Sequence, residues 1–193
     1  MHKSGTPYIS PKYTKQQYLA LNLAMNSDDQ TFDQAIEMFE DRIIGRFLEQ
    51  INLLKDDCCK NGFSIMALEC LLVETFAQFY RGLEDTIGVS QQEYTDFLVN
   101  CLTCFRTKTI ANKFYSYIRC GILHQAQTKP HSGLTFNSQT TIKYENGFLM
   151  VDVERFIDEM NNYFENYCEL LKDRTQIQLR ENFIKKMNFI CNR

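Results

Sequence analysis

Residues that interrupt regular secondary structure are scarce in this chain of 193 residues, which has 8 glycines, 3 prolines and no tryptophan. An all-β sandwich needs turn residues about every ten residues, so the composition argues against that class and favours long helices. Long apolar runs are missing too. None reaches the roughly 18 residues of a membrane-spanning helix, because charged or amide residues interrupt each stretch. We therefore expect no membrane association.

A secretory signal is also missing. The one candidate, residues 18–25, is broken by Asn22 and followed by Asp28 and Asp29 instead of a small-residue cleavage site. We therefore expect a cytoplasmic protein, whose eight cysteines stay reduced because a reducing compartment does not sustain structural disulfides. The hydrophobic content of 44% is close to that of soluble globular proteins, so the chain can form a core of its own.

The apolar pattern predicts an N-terminal arm over residues 1–30 and a single helical domain over residues 31–193. We expect a short helix in the arm, at residues 18–25. In the domain, alternating apolar residues predict a small sheet of two or three strands, inserted at about residues 132–151.

Long helices make up most of the predicted domain. A capping-box pattern starting at Thr31 predicts the beginning of the first one. The Asn61-Gly62 pair predicts the break before a second, antiparallel helix. A second capping-box pattern starting at Ser90 opens a third, and residues 109–125 form a fourth.

The C-terminal third combines a hairpin signal with a helix start. Asn146-Gly147 is typical of the tight turn of a β-hairpin. Asp152 is suited to cap the helix that follows. Together these features predict an all-α fold, a helical bundle with a small β-hairpin insertion.

Charge is distributed unevenly along the chain. Residues 97–144 contain six cations and no acid, whereas the remaining 15 cations and 24 acids give the rest of the chain a net charge of −9. This basic window predicts a positive surface that binds an anionic ligand. The alternative is that its cations pair with acids on other helices. The six cations are Arg106, Lys108, Lys113, Arg119, Lys129 and Lys143.

Arg119 and His124 lie inside this window, near the predicted end of the fourth helix. Arginine presents a permanently charged planar fork that fits phosphate oxygens, and histidine exchanges protons near neutral pH. The two together are a minimal set for cleaving a phosphodiester.

The five-residue spacing is unfavourable in an ideal helix, since it leaves the two side chains roughly 140° apart around the axis. They converge only if the helix is distorted near Gly121, or if a second copy of the helix packs across a two-fold axis. We favour the dimer.

The run Arg119-Cys120-Gly121-Ile122-Leu123-His124-Gln125-Ala126 resembles the R-x4-6-H motif of the HEPN superfamily (higher eukaryotes and prokaryotes nucleotide-binding domains), in particular its nuclease branch. The resemblance implies a helical bundle that dimerises so that two Arg/His motifs face one cleft. It also implies cleavage of RNA without a metal ion or other cofactor. Arg119 would bind the scissile phosphate, His124 would transfer a proton, and the 2′-hydroxyl of the RNA would attack.

The resemblance further implies a toxin or antiviral-defence effector, with an antitoxin or a nucleotidyltransferase as a partner. One position departs from the family, because many HEPN nucleases have Asn, Asp or His where this chain has Cys120.

Other residues of the basic window are candidates for RNA binding. Lys113, Lys129 and His131 are placed to contact the RNA backbone, and Tyr115 and Tyr117 to stack on unpaired bases. The Cys101-x-x-Cys104 spacing suits a metal ligand pair, but no second pair completes a four-ligand site, so we expect these cysteines to pack in the core.

Two alternatives to a nuclease remain at this stage. One is a catalytically inactive HEPN-like module for dimerisation or for binding nucleotides or RNA. The other is a regulator that binds phosphate through the same window without breaking a bond, which would make its RNA binding sensitive to salt.

Overall fold

The computed structural model describes residues 7–192, of which most are helical; 66% of the chain is helix and 8% strand. This confirms the prediction of a mostly helical fold with a small β insertion. The α-helices over these residues are α1 (Lys15–Ala20), α2 (Asp29–Ile43), α3 (Glu49–Lys55), α4 (Cys58–Arg81), α5 (Ser90–Cys101), α6 (Lys108–Lys113), α7 (Cys120–Gln125), α8 (Val153–Lys172) and α9 (Ile177–Asn192). The strands are β1 (Ser132–Thr135), β2 (Ile142–Glu145) and β3 (Phe148–Asp152).

Two of the helices continue through π-helical segments, in which the turns are wider than in an α-helix. Ile44–Leu48 joins α2 to α3, and Phe114–Arg119 joins α6 to α7. Short π-helical segments of this kind occur often at functional sites. The second segment ends at Arg119, one of the two motif residues.

The backbone contacts group the chain into two compact units. The first comprises residues 7–50, 78–85 and 165–192 among those described. Its core is aromatic: the ring of Phe39 lies 4.5 Å from that of Phe79 and 5.6 Å from that of Phe183, centroid to centroid. This unit includes residues 7–30 of the predicted arm, whereas residues 1–6 of that arm lie outside the described residues.

The second unit comprises residues 51–77 and 86–164. In its core, Phe114 stacks on Phe156 at 5.2 Å and meets the ring of Phe105 edge to face at the same distance. The burial of these large rings against one another is the main source of stability for such a unit. It contains the basic window and the β insertion.

The sheet of the second unit has the strand order β1-β3-β2, with β1 parallel and β2 antiparallel to β3. Asn146 and Gly147 both adopt the left-handed backbone conformation, at φ 50° and 79°, that the tight turn between β2 and β3 requires. Asp152 caps α8 through a hydrogen bond of 3.0 Å from the Arg155 backbone N–H to its Oδ1. The predicted hairpin turn and helix cap are thus confirmed.

Three predicted helix starts are wrong. The short helix of the arm begins at Lys15 instead of at residue 18, because Thr14 caps it in a capping box with Gln17. The first long helix is capped by Asp28 and not by Thr31, whose backbone N–H donates to the Asp28 side chain at 2.8 Å. The cap of α5 is Val89, because the Ser90 hydroxyl makes a tertiary hydrogen bond instead.

The predicted break at Asn61-Gly62 is also wrong, since both residues lie inside α4 and the helix begins at Cys58. Gly62 serves close packing here. A Cβ atom at this position would lie 2.8 Å from Cζ of Phe136, so the glycine makes room for that ring in the second unit.

Helix α4 is the one helix among residues 7–192 that is long and apolar enough to cross a membrane, with a mean hydropathy of 1.3 over its best window. However, 56% of that window is buried inside the protein. The core helix of a soluble protein passes the same test of length and composition.

Candidate functional site

Arg119 and His124 lie close together within one chain. Nη1 of Arg119 is 3.5 Å from Nε2 of His124, and the imidazole is exposed to solvent. The expectation that a single helix aligns this pair poorly is therefore wrong. The five-residue spacing itself lies in α7, which is α-helical, so the rotation of roughly 140° between the two residues remains and the reach of their side chains brings Nη1 and Nε2 together.

The guanidinium of Arg119 is held by a carboxylate from α4. Nη2 of Arg119 donates to Oε2 of Glu74 at 2.8 Å, and the two side chains are only 15% and 23% exposed. The other oxygen of Glu74 accepts hydrogen bonds from the Thr86 hydroxyl at 2.6 Å and the Ser90 hydroxyl at 3.1 Å. Three donors thus fix the position of this carboxylate.

These contacts keep both members of the pair charged. Desolvation by burial raises the pKa of Glu74, but the hydrogen bonds from Thr86 and Arg119 outweigh it, so its pKa lies below the ordinary value. Desolvation lowers the pKa of Arg119, and the contact with Glu74 more than offsets this, so the net shift is upward. A partly buried ion pair of this kind costs desolvation, which the extra hydrogen bonds compensate.

The ring of Tyr115 contacts the same guanidinium. Cζ of Arg119 lies 5.2 Å from the centre of the Tyr115 ring, within the range of a cation–π contact. The Tyr115 hydroxyl donates to Oγ of Ser90 at 3.4 Å, and its ring meets that of Tyr94 edge to face at 5.3 Å. Tyr115 is thus committed to packing around Arg119, whereas it was a candidate for base stacking.

The loop that follows α7 folds back onto the helix at Gly121. Ala126 ends the helix in the left-handed conformation, at φ 52°. The backbone N–H of Lys129 then donates to the carbonyl of Tyr117 at 2.9 Å. A Cβ atom on Gly121 would lie 2.6 Å from the Gln127 carbonyl oxygen, so only glycine lets the loop approach this closely.

Lys113 belongs to a second cluster beside the pair. Its Nζ lies 5.3 Å from the ring centre of Tyr117 and 4.9 Å from that of Tyr144 on β2. A hydrogen bond with Tyr144 is the largest cause of the raised pKa of Lys113. Both tyrosines and Lys113 therefore form one platform, which joins the second π-helical segment to the sheet.

The structure brings together only part of the predicted site. Among the described residues, Lys113, Lys129 and His131 make no hydrogen bond or ion pair with Arg119 or His124. His131 is exposed at the start of the sheet, with φ 66°, and its carbonyl accepts from the Leu149 backbone N–H at 2.9 Å.

The alternative that the basic window is neutralised by other helices holds for two of its six cations. Arg119 pairs with Glu74 on α4 and Lys108 with Asp96 on α5, whereas Lys143 pairs with Glu145 on its own strand, β2. Within residues 7–192 the other three cations form no ion pair. These are Arg106, Lys113 and Lys129.

Glu74 is the site residue that the sequence analysis missed. One signal was present, because residues 63–80 are strongly apolar and contain only two charged residues, Glu69 and Glu74. A carboxylate within such a stretch needs a partner or loses its charge. Ser90 was assigned to a helix cap and so was not connected with the site either.

Metal coordination receives no support from the described part of the chain, which holds no group of three or more His, Cys, Asp or Glu side chains placed to bind an ion. Cys101 and Cys104 are partly buried and unpaired, and burial raises the pKa of Cys101 to about 12. Their thiols therefore stay protonated and pack as small apolar groups.

Comparison with known proteins gives no relative for this chain. No family model matches the sequence, and neither a curated protein nor a solved structure is significantly similar to it.

Proposed function

We propose that this protein is a metal-independent endoribonuclease of the HEPN type, in which Arg119 and His124 cleave RNA. The observation that carries the proposal is the 3.5 Å approach of the Arg119 guanidinium to the exposed imidazole of His124. Arg119 binds the scissile phosphate through the edge of the guanidinium that Glu74 does not occupy. Glu74 positions Arg119 and keeps it charged.

The chemistry needs two proton transfers. The 2′-hydroxyl of the RNA loses a proton and bonds to phosphorus, while the bond from phosphorus to the 5′-oxygen breaks and that oxygen gains a proton. A neutral imidazole performs the first transfer and an imidazolium the second. The products are a 2′,3′-cyclic phosphate and a free 5′-hydroxyl, and no metal ion takes part.

A second copy of the chain supplies the second imidazole. Two exposed apolar residues are neighbours in sequence of site residues: Leu123 precedes His124 and Val89 precedes Ser90, and they are 41% and 43% exposed. Leu71, one helical turn from Glu74 on α4, is 43% exposed. Burying these residues against the same surface of a partner would favour a two-fold dimer and bring two Arg/His pairs to one cleft.

The proposal is tested by incubating labelled RNA with the purified protein in EDTA. We expect cleavage by the wild type and a loss of at least 100-fold in the His124→Ala and Arg119→Ala variants, since a general acid–base group contributes about that much. The matched control is Arg174→Ala, which removes an exposed arginine that is also paired with a carboxylate, Asp29, but lies in the first unit. It should retain the wild-type turnover.

Three results would contradict this function. Cleavage that persists in both motif variants would remove Arg119 and His124 from the reaction. Cleavage that depends on added metal would contradict the mechanism. Products ending in a 3′-hydroxyl would exclude attack by the 2′-hydroxyl. Sizing the protein in solution tests the dimer separately.

A catalytically inactive module is the second candidate, because Glu74 already occupies one side of the Arg119 guanidinium. In that case the same surface binds RNA or a nucleotide, or holds two copies together, and RNA remains intact in every assay. As a nuclease, the protein would act in the cytoplasm as a toxin or an antiviral effector, restrained by an antitoxin or a nucleotidyltransferase partner.

A further inference from the structure

A groove of about 720 Å³ lies in the second unit, away from the Arg119–His124 pair in sequence. Its walls come from the segment before α6, the loop at residues 138–141, β2 and the first turns of α8. No role has been assigned to it so far. Its size is within the range of known ligand-binding clefts.

Positive charge dominates the groove. Arg106, Lys143 and Arg155 line it, with Glu159 as the one acid among its lining residues. Glu159 accepts a hydrogen bond of 2.8 Å from the Thr103 hydroxyl. A groove with three cations to one carboxylate attracts an anionic ligand.

The three cations of the groove differ in the contacts that their side chains make. Arg106 is exposed and, within the described chain, makes no ion pair. Lys143 pairs with Glu145 at 2.7 Å, but both side chains are about 60% exposed, so the pair is weak and open to exchange for a phosphate. Arg155 is anchored, because its Nε donates to the Ser138 carbonyl at 2.6 Å.

An aromatic side chain completes the groove. Tyr144 is among its lining residues and is 40% exposed. Tyr144 also contacts Lys113, on the helix that continues into Arg119. Lys113 precedes Arg119 by six residues on the same continuous helix, so this helix links the groove to the motif.

We propose that this groove binds a single-stranded segment of RNA, with its phosphates on Arg106 and Lys143 and one base stacked on Tyr144. This inference rests on the proposed function, because it takes RNA as the substrate. A base stacks on a tyrosine only when it is unpaired, so the combination of cations with an open aromatic ring selects single strands over duplexes. The strand then runs past Lys113 towards Arg119 and His124.

The test measures RNA binding by the full-length His124→Ala protein, so that the probe is not cut. The probe is a fluorescein-labelled, unstructured oligoribonucleotide, and the readout is fluorescence anisotropy over a range of salt concentrations. We expect Tyr144→Ala to weaken binding about tenfold, as for the loss of one stacked base. Tyr144→Phe keeps the ring and should bind as tightly as the parent.

The charge contribution is tested by the double variant Arg106→Ala/Lys143→Ala. Removing two phosphate contacts should lower the slope of log K against log salt by about 1.4 for a single strand. The matched control, Arg174→Ala/Lys185→Ala, removes two exposed cations from the first unit and should leave the slope unchanged. Thermal unfolding of each variant checks that it is folded.

Each result decides the inference. Groove variants that bind like the control, while the wild type still cleaves RNA, would overturn the groove and leave the nuclease intact. A protein that neither binds nor cleaves RNA would overturn both. Equal affinity for a duplex of the same sequence, or competition by poly-glutamate as effective as by RNA, would also overturn it. In the last case the groove would be a site for an acidic protein.

Discussion

Helix α4 carries two glutamates in opposite surroundings, one at the Arg119 site and one in the core of the second unit. The carboxylate of Glu74 accepts from Thr86, Ser90 and Arg119. Five residues earlier on the helix, Glu69 is completely buried and neither of its oxygens has a hydrogen-bond partner. The two residues are chemically identical, so the difference lies in their surroundings: Glu69 is fully buried without a donor, whereas the Glu74 side chain is 23% exposed and has three donors.

The consequence is a difference in charge state. Burial alone raises the pKa of Glu69 well above the ordinary value for a carboxyl group, which favours its protonated form. For Glu74 the desolvation is outweighed by hydrogen bonds, and its pKa is lowered. A glutamate in an apolar helix is therefore a functional candidate only where the fold brings donors to it.

Among the tests of this comparison, the substitution Glu74→Gln should have the largest effect. Glutamine keeps the shape of the side chain but loses the charge that holds Arg119, and small displacements of a catalytic group cost about 100-fold in rate. We expect RNA cleavage to fall by about that factor. Glu69→Gln is the matched control on the same helix and should cleave like the wild type. Equal losses in both variants would mean that the helix is merely disturbed.

A second substitution tests whether the backbone near Arg119 leaves room for a side chain at Gly121. Gly121→Ala brings a Cβ within 2.6 Å of the Gln127 carbonyl oxygen and 2.9 Å of the Lys129 nitrogen. We expect the free energy of unfolding to fall by about 2 kcal/mol, measured by denaturant titration. Gly133→Ala is the control, because its nearest neighbours lie at 3.5 Å, and it should change stability by much less. Equal effects would refute the close approach.

The pH dependence of stability should have opposite signs for the two glutamates. Glu69 has a raised pKa in the fold, so its stabilising contribution is complete below its unfolded pKa and is lost as the pH rises towards the folded value. Over that window we expect Glu69→Gln to gain about 1.4 kcal/mol per pH unit relative to the wild type. The lowered pKa of Glu74 predicts the reverse, with stability lost as the pH falls through its folded value.

Urea titrations of the wild type and both variants from about pH 4 to about pH 8 measure this difference. Parallel curves for the wild type and Glu69→Gln would show that Glu69 ionises in the folded protein as it does in the unfolded chain.

The smallest effect is expected at an exposed ion pair. Lys143 and Glu145 are 60% and 62% exposed, in contrast to the 15% and 23% of Arg119 and Glu74. Lys143→Ala should change the free energy of unfolding by less than about 0.5 kcal/mol. A larger loss would show that exposure does not separate the two pairs. Thermal unfolding is precise enough for this measurement.

Local signals in the sequence predicted the parts of the fold that depend on local physics. The spacing of apolar residues predicted the long helices, the Asn146-Gly147 turn predicted the hairpin, and Asp152 predicted the start of α8. Asn61 and Gly62 misled because a glycine that ends one helix looks the same as a glycine that admits the ring of Phe136. That distinction depends on a residue more than 70 positions away.

For the candidate site, too, the sequence predicted the local part and missed the long-range contact. Arg119 and His124 follow from a motif within one helix, and their proximity is observed. Glu74 was out of reach, because its contact with Arg119 joins residues 45 positions apart and depends on how α4 packs in the second unit. The π-helical segment before Arg119 was also unforeseen, since no residue type marks it.

The π-helical segment at Phe114–Arg119 changes the direction in which all later side chains of the same helix point. It contains the equivalent of one extra residue, so side chains after it are rotated by about 100° relative to an uninterrupted α-helix. Deleting one residue inside it would leave the spacing of Arg119 and His124 intact while turning both away from Glu74. Chain length in this one turn, and not the identity of any side chain, therefore sets the direction in which the pair faces.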